Sequence, residues 1–215
     1  MYLLDNKVGL VTGGGVGIGR AICEAFAREG AKVIVADFNA ETGQETVDII
    51  KEAGGEAHFV CADVSNEEQV KAMIDAAITI FGRLDIACNS AAVSRGSGPI
   101  HEFERSVFDD TLEMCLTNTW LCLKHEVGAM LDSGKGGSIV NISSDLGLMA
   151  PDQRLYAKQG LSKELQPVKP ITYSIVKTGI IGLTRYLSTY WAEQNVRCNA
   201  ICPGGVENGQ PDDFI

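Results

Sequence analysis

The sequence is poor in the features that mark several common functions. Histidine occurs three times (His58, His101 and His125), without metal-ligand spacing, which argues against a metal centre. Seven cysteines are present, an odd number, with no C-x-x-C pair among them. That usage fits reduced thiols in a cytoplasmic protein, most of them acting as small buried apolar residues. No apolar run approaches the length that spans a bilayer. The opening MYLLDNK lacks the apolar core of a secretory leader, which again points to the cytoplasm. Basic residues are scattered and outnumbered, giving a formal net charge of −10, so neither nucleic acid nor a membrane is an expected partner. Internal repeats and low-complexity linkers are also missing. What remains, 215 residues that are 45% hydrophobic and 21% charged, suits one soluble domain with a well-buried core.

Apolar runs alternate with helical patterns along the chain. Strands are expected at 7–12 (KVGLVT), 32–36, 57–61, 84–89, 137–143 and 196–201. Helices are expected at 17–29, at 40–53 before the Gly54-Gly55 stop, from Ser65 to Phe81, and as two long pieces at 106–131 and 171–193. Ser65 followed by Glu68 reads as a capping box for the third helix. Strands that are apolar on both faces and separated by helices imply a covered parallel sheet. Right-handed crossovers then give an α/β, three-layer, doubly wound Rossmann fold. One stretch, 151–170, is irregular, polar and broken by prolines.

The first strand runs into Thr12-Gly13-Gly14-Gly15-Val16-Gly17-Ile18-Gly19, which opens a helix. Glycines there let the backbone turn sharply and approach a pyrophosphate with no Cβ in the way. The exposed amides and the positive helix end favour the anion. A glycine-rich turn can also exist for close packing alone, so context matters. Asp37 stands at the end of the second strand, eighteen residues past Gly19, where a carboxylate accepts from ribose hydroxyls and repels a 2′-phosphate. That favours NAD over NADP. The other reading of Asp37 is a cap for the helix that begins near Asn39.

Gly13, Gly17 and Gly19, in the spacing G-x-x-x-G-x-G, resemble the turn of the short-chain dehydrogenase/reductase family. Further motifs agree. Asp63-Val64 resembles the family's adenine-contacting pair, and Asn89-Ser90-Ala91-Ala92 resembles its Asn-Asn-Ala-Gly turn with departures at Ser90 and Ala92. Of Ser143 and Ser144, the second matches the catalytic serine, and Tyr173 with Lys177 matches the Tyr-x-x-x-Lys pair. Pro203, Gly204 and Val206 lie in a segment similar to the one that packs on the nicotinamide. The resemblance covers nearly the whole chain. It implies an oxidoreductase moving a hydride between NAD(H) and a secondary alcohol or ketone, with Ser144, Tyr173 and Lys177 catalytic. Cofactor contacts are implied for Gly13, Gly17, Ile18, Gly19, Asp37, Asp63, Val64, Asn89, Tyr173, Lys177, Pro203, Gly204 and Val206.

The chemistry follows from the residue types. Tyr173 and Lys177 are four apart on a helix and share a face. A tyrosine ordinarily ionises near pH 10. A nearby ammonium and a cationic nicotinamide favour phenolate, so the pair can act as general acid or base. Ser144 would donate to the substrate oxygen. Tyr156 has the wrong partner, since Gly160 stands four residues on.

Three departures from the family pattern bear on these expectations. Its helix asparagine aligns with Cys115, which lacks an amide's hydrogen-bonding capacity; Asn118, nearly one turn later, substitutes only if the helix is registered differently. Ser144 and Tyr173 are 29 residues apart, a longer gap than the family's, and the excess falls in 151–170. That insertion is either a surface loop or part of the substrate pocket, where Gln153, Arg154, Tyr156, Lys158 and Lys163 would favour a polar or anionic substrate such as a sugar. Finally, family members continue with a covering segment that residues 208–215 would only begin. The competing function is a non-catalytic NAD-binding protein. A homodimer or homotetramer built on the two long helices is the expected assembly.

Overall fold

The computed structural model describes residues 2–93, 95–162 and 165–206. Its six strands are β1 (Val8–Thr12), β2 (Lys32–Asp37), β3 (Glu56–Cys61), β4 (Ile86–Asn89), β5 (Gly137–Ile142) and β6 (Val196–Ile201). They form one sheet in the order β3-β2-β1-β4-β5-β6, with every pairing parallel. This is the doubly wound topology expected from the sequence, with its order reversing at β1 and β4. Ligands bind outside the carboxyl ends of strands at such a point.

Helices α1 (Gly17–Arg28) and α2 (Ala40–Glu52) cover one face, where Cys23, Val47 and Ile50 pack on Val11, Val33 and Val35. The other face carries α3 (Glu67–Phe81), α5 (Asn118–Asp132) and α6 (Ile171–Tyr190), with Met73, Leu123 and Leu183 packed around Leu10, Ile34 and Ile139. Alternate residues of one strand thus serve two cores, so all of β1 is buried and its sequence is continuously apolar up to Thr12. No helix among the described residues is long and apolar enough to cross a membrane.

The structure corrects three local expectations. The third helix is capped by Asn66, whose side chain accepts from the Gln69 amide; Ser65 instead gives its hydroxyl to Asp63. A one-residue shift of the helix start turns the serine away from the helix amides. The long helix expected at 106–131 is α4 (Arg105–Leu112) and α5 joined by a π turn, Glu113–Thr117. The widened turn sits among side chains that bind carbonyls four residues back: Thr111 to Val107, Asn118 to Met114 and Thr119 to Cys115. It adds a residue to the spiral and rotates everything after it. The last helix stops at Tyr190, short of residue 193, and its turn closes on Asn195 in the left-handed region.

Candidate active site

A cavity of about 1040 Å³ opens at the carboxyl ends of the strands. Its first wall is the glycine turn. Gly13 has a φ of +66°, and a Cβ on it would lie 2.9 Å from the Ala91 Cα; a Cβ on Gly19 would lie 2.0 Å from the Gly13 carbonyl oxygen. Gly19 lets the turn fold against itself, and Gly13 lets it approach the segment after β4. Gly17 also has a positive φ, +55°, but open space beside it. The N-terminus of α1 has no side-chain cap and no acid in its first turn, whereas α2 and α3 are capped by Asn39 and Asn66. Uncapped amides at a positive helix end, facing a cavity, fit an anionic group such as a pyrophosphate.

Asp37 is 7% exposed and lines the same cavity. One carboxylate oxygen accepts from the Gly15 amide at 2.9 Å and the other from the Asn39 amide at 2.9 Å. The cap of α2 is Asn39, which accepts from Glu41 and Thr42. Asp37 therefore joins the glycine turn to the end of β2 and turns its remaining lone pairs to the cavity. Asp63 and Val64 form the next stretch of wall, with Asp63 fixed by Ser65 and Gln69. Thr12, which leads into the glycine turn, holds the opposite side: its hydroxyl oxygen accepts from the amides of Ser90 and Ala91.

Asn89 departs from its expected role as a cofactor contact. It does not line the cavity; its amide donates inward to Glu126 and Asn141, both at 3.0 Å. Ser90, Ala91, Ala92 and Val93 line the cavity in its place. The strand period explains this, since Asn89 is still inside β4 and faces the α5 layer. Around it, Glu126 is fully buried, with one oxygen unpartnered, and burial pushes its carboxyl up to about 7 despite the Asn89 bond.

Ser144, Tyr173 and Lys177 meet at the other end of the cavity, with Pro203, Gly204 and Val206 beside them. Ser144 donates to the Asp145 carboxylate at 2.8 Å and accepts from the Leu146 amide. Lys177 is 6% exposed; its ammonium donates to the Ile142 carbonyl at 3.0 Å and stands 5.7 Å from the Tyr173 ring centre. Burial lowers the Lys177 pKa, with the nearby Cys115 opposing the shift. Ser143 donates to the Lys177 carbonyl at 2.7 Å and ties β5 to α6. The shared face of Tyr173 and Lys177 thus points as the four-residue spacing requires.

The structure places Cys115 inside the π turn and Asn118 just after it. Asn118 lines the cavity, its amide donating to the carbonyl of Ala91, whereas Cys115 is buried outside it and exchanges hydrogen bonds with the Val93 backbone.

The 151–170 stretch places few of the polar groups expected of it in the cavity. Gln153 bonds both backbone groups of Lys169, Arg154 pairs with Asp152, and Lys158 is exposed. Lys163 and residues 208–215 lie outside the described residues. Tyr156 does line the cavity, as do Met149 and Leu155, so this wall is more apolar than its sequence suggests. Lys169, not singled out in the sequence, reaches in as well: its ammonium lies 3.8 Å from the Tyr173 ring centre and 5.9 Å from that of Tyr156. The contact is close in sequence, since Lys169 stands four residues before Tyr173, and Gln153 fixes the backbone there.

Comparison with known proteins agrees with this geometry. A family model described as short chain dehydrogenase matches residues 7–211. An uncharacterized oxidoreductase, YxbG, of Bacillus subtilis is 37% identical over 207 residues, covering 96% of this chain and 69% of the relative. A solved NAD+-bound xylitol dehydrogenase is 29% identical with a TM-score of 0.86, over 97% of this chain and 74% of the other. A carveol dehydrogenase from Mycobacterium avium in complex with NAD superposes with a TM-score of 0.87 at 27% identity, over all of this chain and 76% of the other.

Proposed function

The chain belongs to the short chain dehydrogenases, and from that premise we propose an NAD-dependent oxidoreductase that interconverts a secondary alcohol and a ketone. One observation carries the reading: a single cavity joins Ser144, Tyr173 and Lys177 at one end to uncapped helix amides and Asp37 at the other. Gly13, Gly17, Ile18 and Gly19 would hold the pyrophosphate, Asp37 the adenosine ribose, and Asp63 and Val64 the adenine. Pro203, Gly204 and Val206 would flank the nicotinamide, which when bound supplies or accepts the hydride. The Asp37 carboxylate, held by the amides of Gly15 and Asn39, supports a preference for NAD over NADP, because a carboxylate at the ribose would repel a 2′-phosphate.

Tyr173 exchanges the proton at the substrate oxygen. Lys177 lies across the same helix face, where its ammonium favours the phenolate and can reach the nicotinamide ribose. The Ser144 hydroxyl turns from Asp145 to the reacting oxygen, exchanging one acceptor for another as charge develops there. Asn118, held at the cavity wall through Ala91, takes the part in proton relay that the family's helix asparagine suggests. The 151–170 insertion, part of a single Rossmann domain, forms the substrate-side wall through Leu155 and Tyr156, with Met149 just before it.

The assembly we infer is a homodimer or homotetramer in the cytoplasm. Its contact would use α5 and α6, where Leu116, Trp120, Gly179 and Leu183 line an apolar hollow of about 330 Å³ and Trp120 is 47% exposed. NADH consumption with a panel of ketones and ketosugars tests the function. Tyr173→Phe is expected to bind NADH normally and lose about 10²–10⁴-fold in turnover. Full turnover by that variant would overturn the assignment, and a protein that binds NADH yet reduces no carbonyl would support the non-catalytic alternative.

A further inference from the structure

Lys169 is a second cation at the reacting end of the cavity, additional to Lys177. Its place is built rather than accidental. Gln153 grips it through both backbone groups, accepting from the Lys169 amide at 2.9 Å and donating to its carbonyl at 3.2 Å. Pro170 follows at once and fixes the chain direction into α6. The ammonium then stands over the face of Tyr173, 3.8 Å from the ring centre, and within 5.9 Å of the Tyr156 ring centre. Among the described residues it makes no hydrogen bond.

The other charged groups on this side are accounted for. Asp145 accepts from Ser144 and Leu146, and Asp152 is paired with Arg154. Arg95 lines the cavity from the segment after β4 and adds a further positive charge. Half-burial lowers the Lys169 pKa, with Asp145 opposing, so the ammonium is held where water serves it poorly. An anion seated against it would regain that lost solvation.

Resting on the oxidoreductase reading above, we propose that Lys169 recognises a carboxylate on the substrate, close to the reacting carbon. The ammonium stands 3.8 Å from the centre of the ring whose hydroxyl would meet the substrate oxygen. A substrate oxygen on that phenol would bring the carbons next to the reacting one toward Lys169. The substrate class is a 2-oxo or 3-oxo acid, or the corresponding hydroxy acid, with the apolar wall of Met149 and Leu155 receiving the rest of the chain.

The test compares kcat/KM with NADH for matched acid and neutral ketones: 2-oxopentanoate against 2-pentanone, and acetoacetate against its methyl ester. Wild type is expected to prefer the acid of at least one pair by about tenfold or more. Lys169→Met should reduce that acid-to-neutral ratio about tenfold, and Lys169→Arg should restore most of it, with NADH affinity checking the fold. A ratio that Lys169→Met leaves unchanged overturns the proposal, because both substrates would then lose equally through Tyr173 or the fold. If no carbonyl is reduced at all, the oxidoreductase reading fails separately. Ligand-observed NMR with the inert carboxylate 2-methylpropanoate then still decides. Binding lost in Lys169→Met supports the anion site, and equal or absent binding in both proteins sinks it.

Discussion

Replacing Glu126 by glutamine probes the least expected feature of the interior. Glu126 on α5 is fully buried, one oxygen accepting from Asn89 and the other unpartnered. Three thiols surround it; burial pushes Cys88 up to about 12 and Cys198 up to about 11, and raises Cys122 as well, so no compensating charge comes from them. Burial raises the carboxyl from 4.5 to about 7, so the folded state holds a proton that the unfolded chain has released. Below pH 4.5 both states are protonated and there is no penalty. Between pH 4.5 and 7 stability falls with rising pH, and above 7 the loss is complete. A shift of this size amounts to on the order of 3 kcal/mol. An amide of the same shape cannot ionise, so this component vanishes in Glu126→Gln. Urea unfolding of both proteins from pH 4.5 to 8 should show the variant gaining on wild type by on the order of 3 kcal/mol across that range. A difference between the two that stays constant with pH would refute the reasoning, since Glu126 would then hold the same protonation state folded and unfolded.

Other expectations follow from the glycine turn and the helix caps. Asp37→Arg should weaken NADH binding and improve NADPH binding in fluorescence titrations, and an unchanged preference would remove Asp37 from the ribose site. Gly19→Ala places a methyl 2.0 Å from the Gly13 oxygen; overpacking costs about 1–3 kcal/mol, read as a lower urea midpoint together with a weaker NADH Kd. Asn66→Ala should cost about 1 kcal/mol as the loss of a helix cap. Ser65→Ala should stay within about 0.5 kcal/mol, and equal losses for the two would restore the serine as the cap.

Much of this protein is written in short-range pattern. The order of strands and helices follows from runs such as Val8–Thr12, buried on both faces, alternating with amphipathic stretches, and chirality then leaves one economical winding. The glycine turn is local in part: a Cβ on Gly19 would meet Gly13 within the same loop, whereas one on Gly13 would meet Ala91 beyond the end of β4. Tyr173 and Lys177 share a face because four residues make nearly one helical turn. Even the cap error at Ser65 spans a single residue, and Asn66 beside it has the same chemistry.

What the sequence left open depends on where side chains are aimed by distant packing. Asn89 and Ser90 are neighbours, yet one faces the interior at Glu126 while the other borders the cavity. Asn118 borders the cavity and Cys115 does not, with a π turn before Asn118 that leaves no mark in hydrophobic period. Lys169 is four residues from Tyr173, but its backbone is fastened by Gln153, sixteen residues away along the chain. Periodicity and turn chemistry act over a few residues, so the sequence alone determined the elements, their order and the shared face of Tyr173 and Lys177. Which groups meet across elements is settled by packing the whole core at once, and only the tertiary structure decided that Asn118 borders the cavity and Asn89 does not.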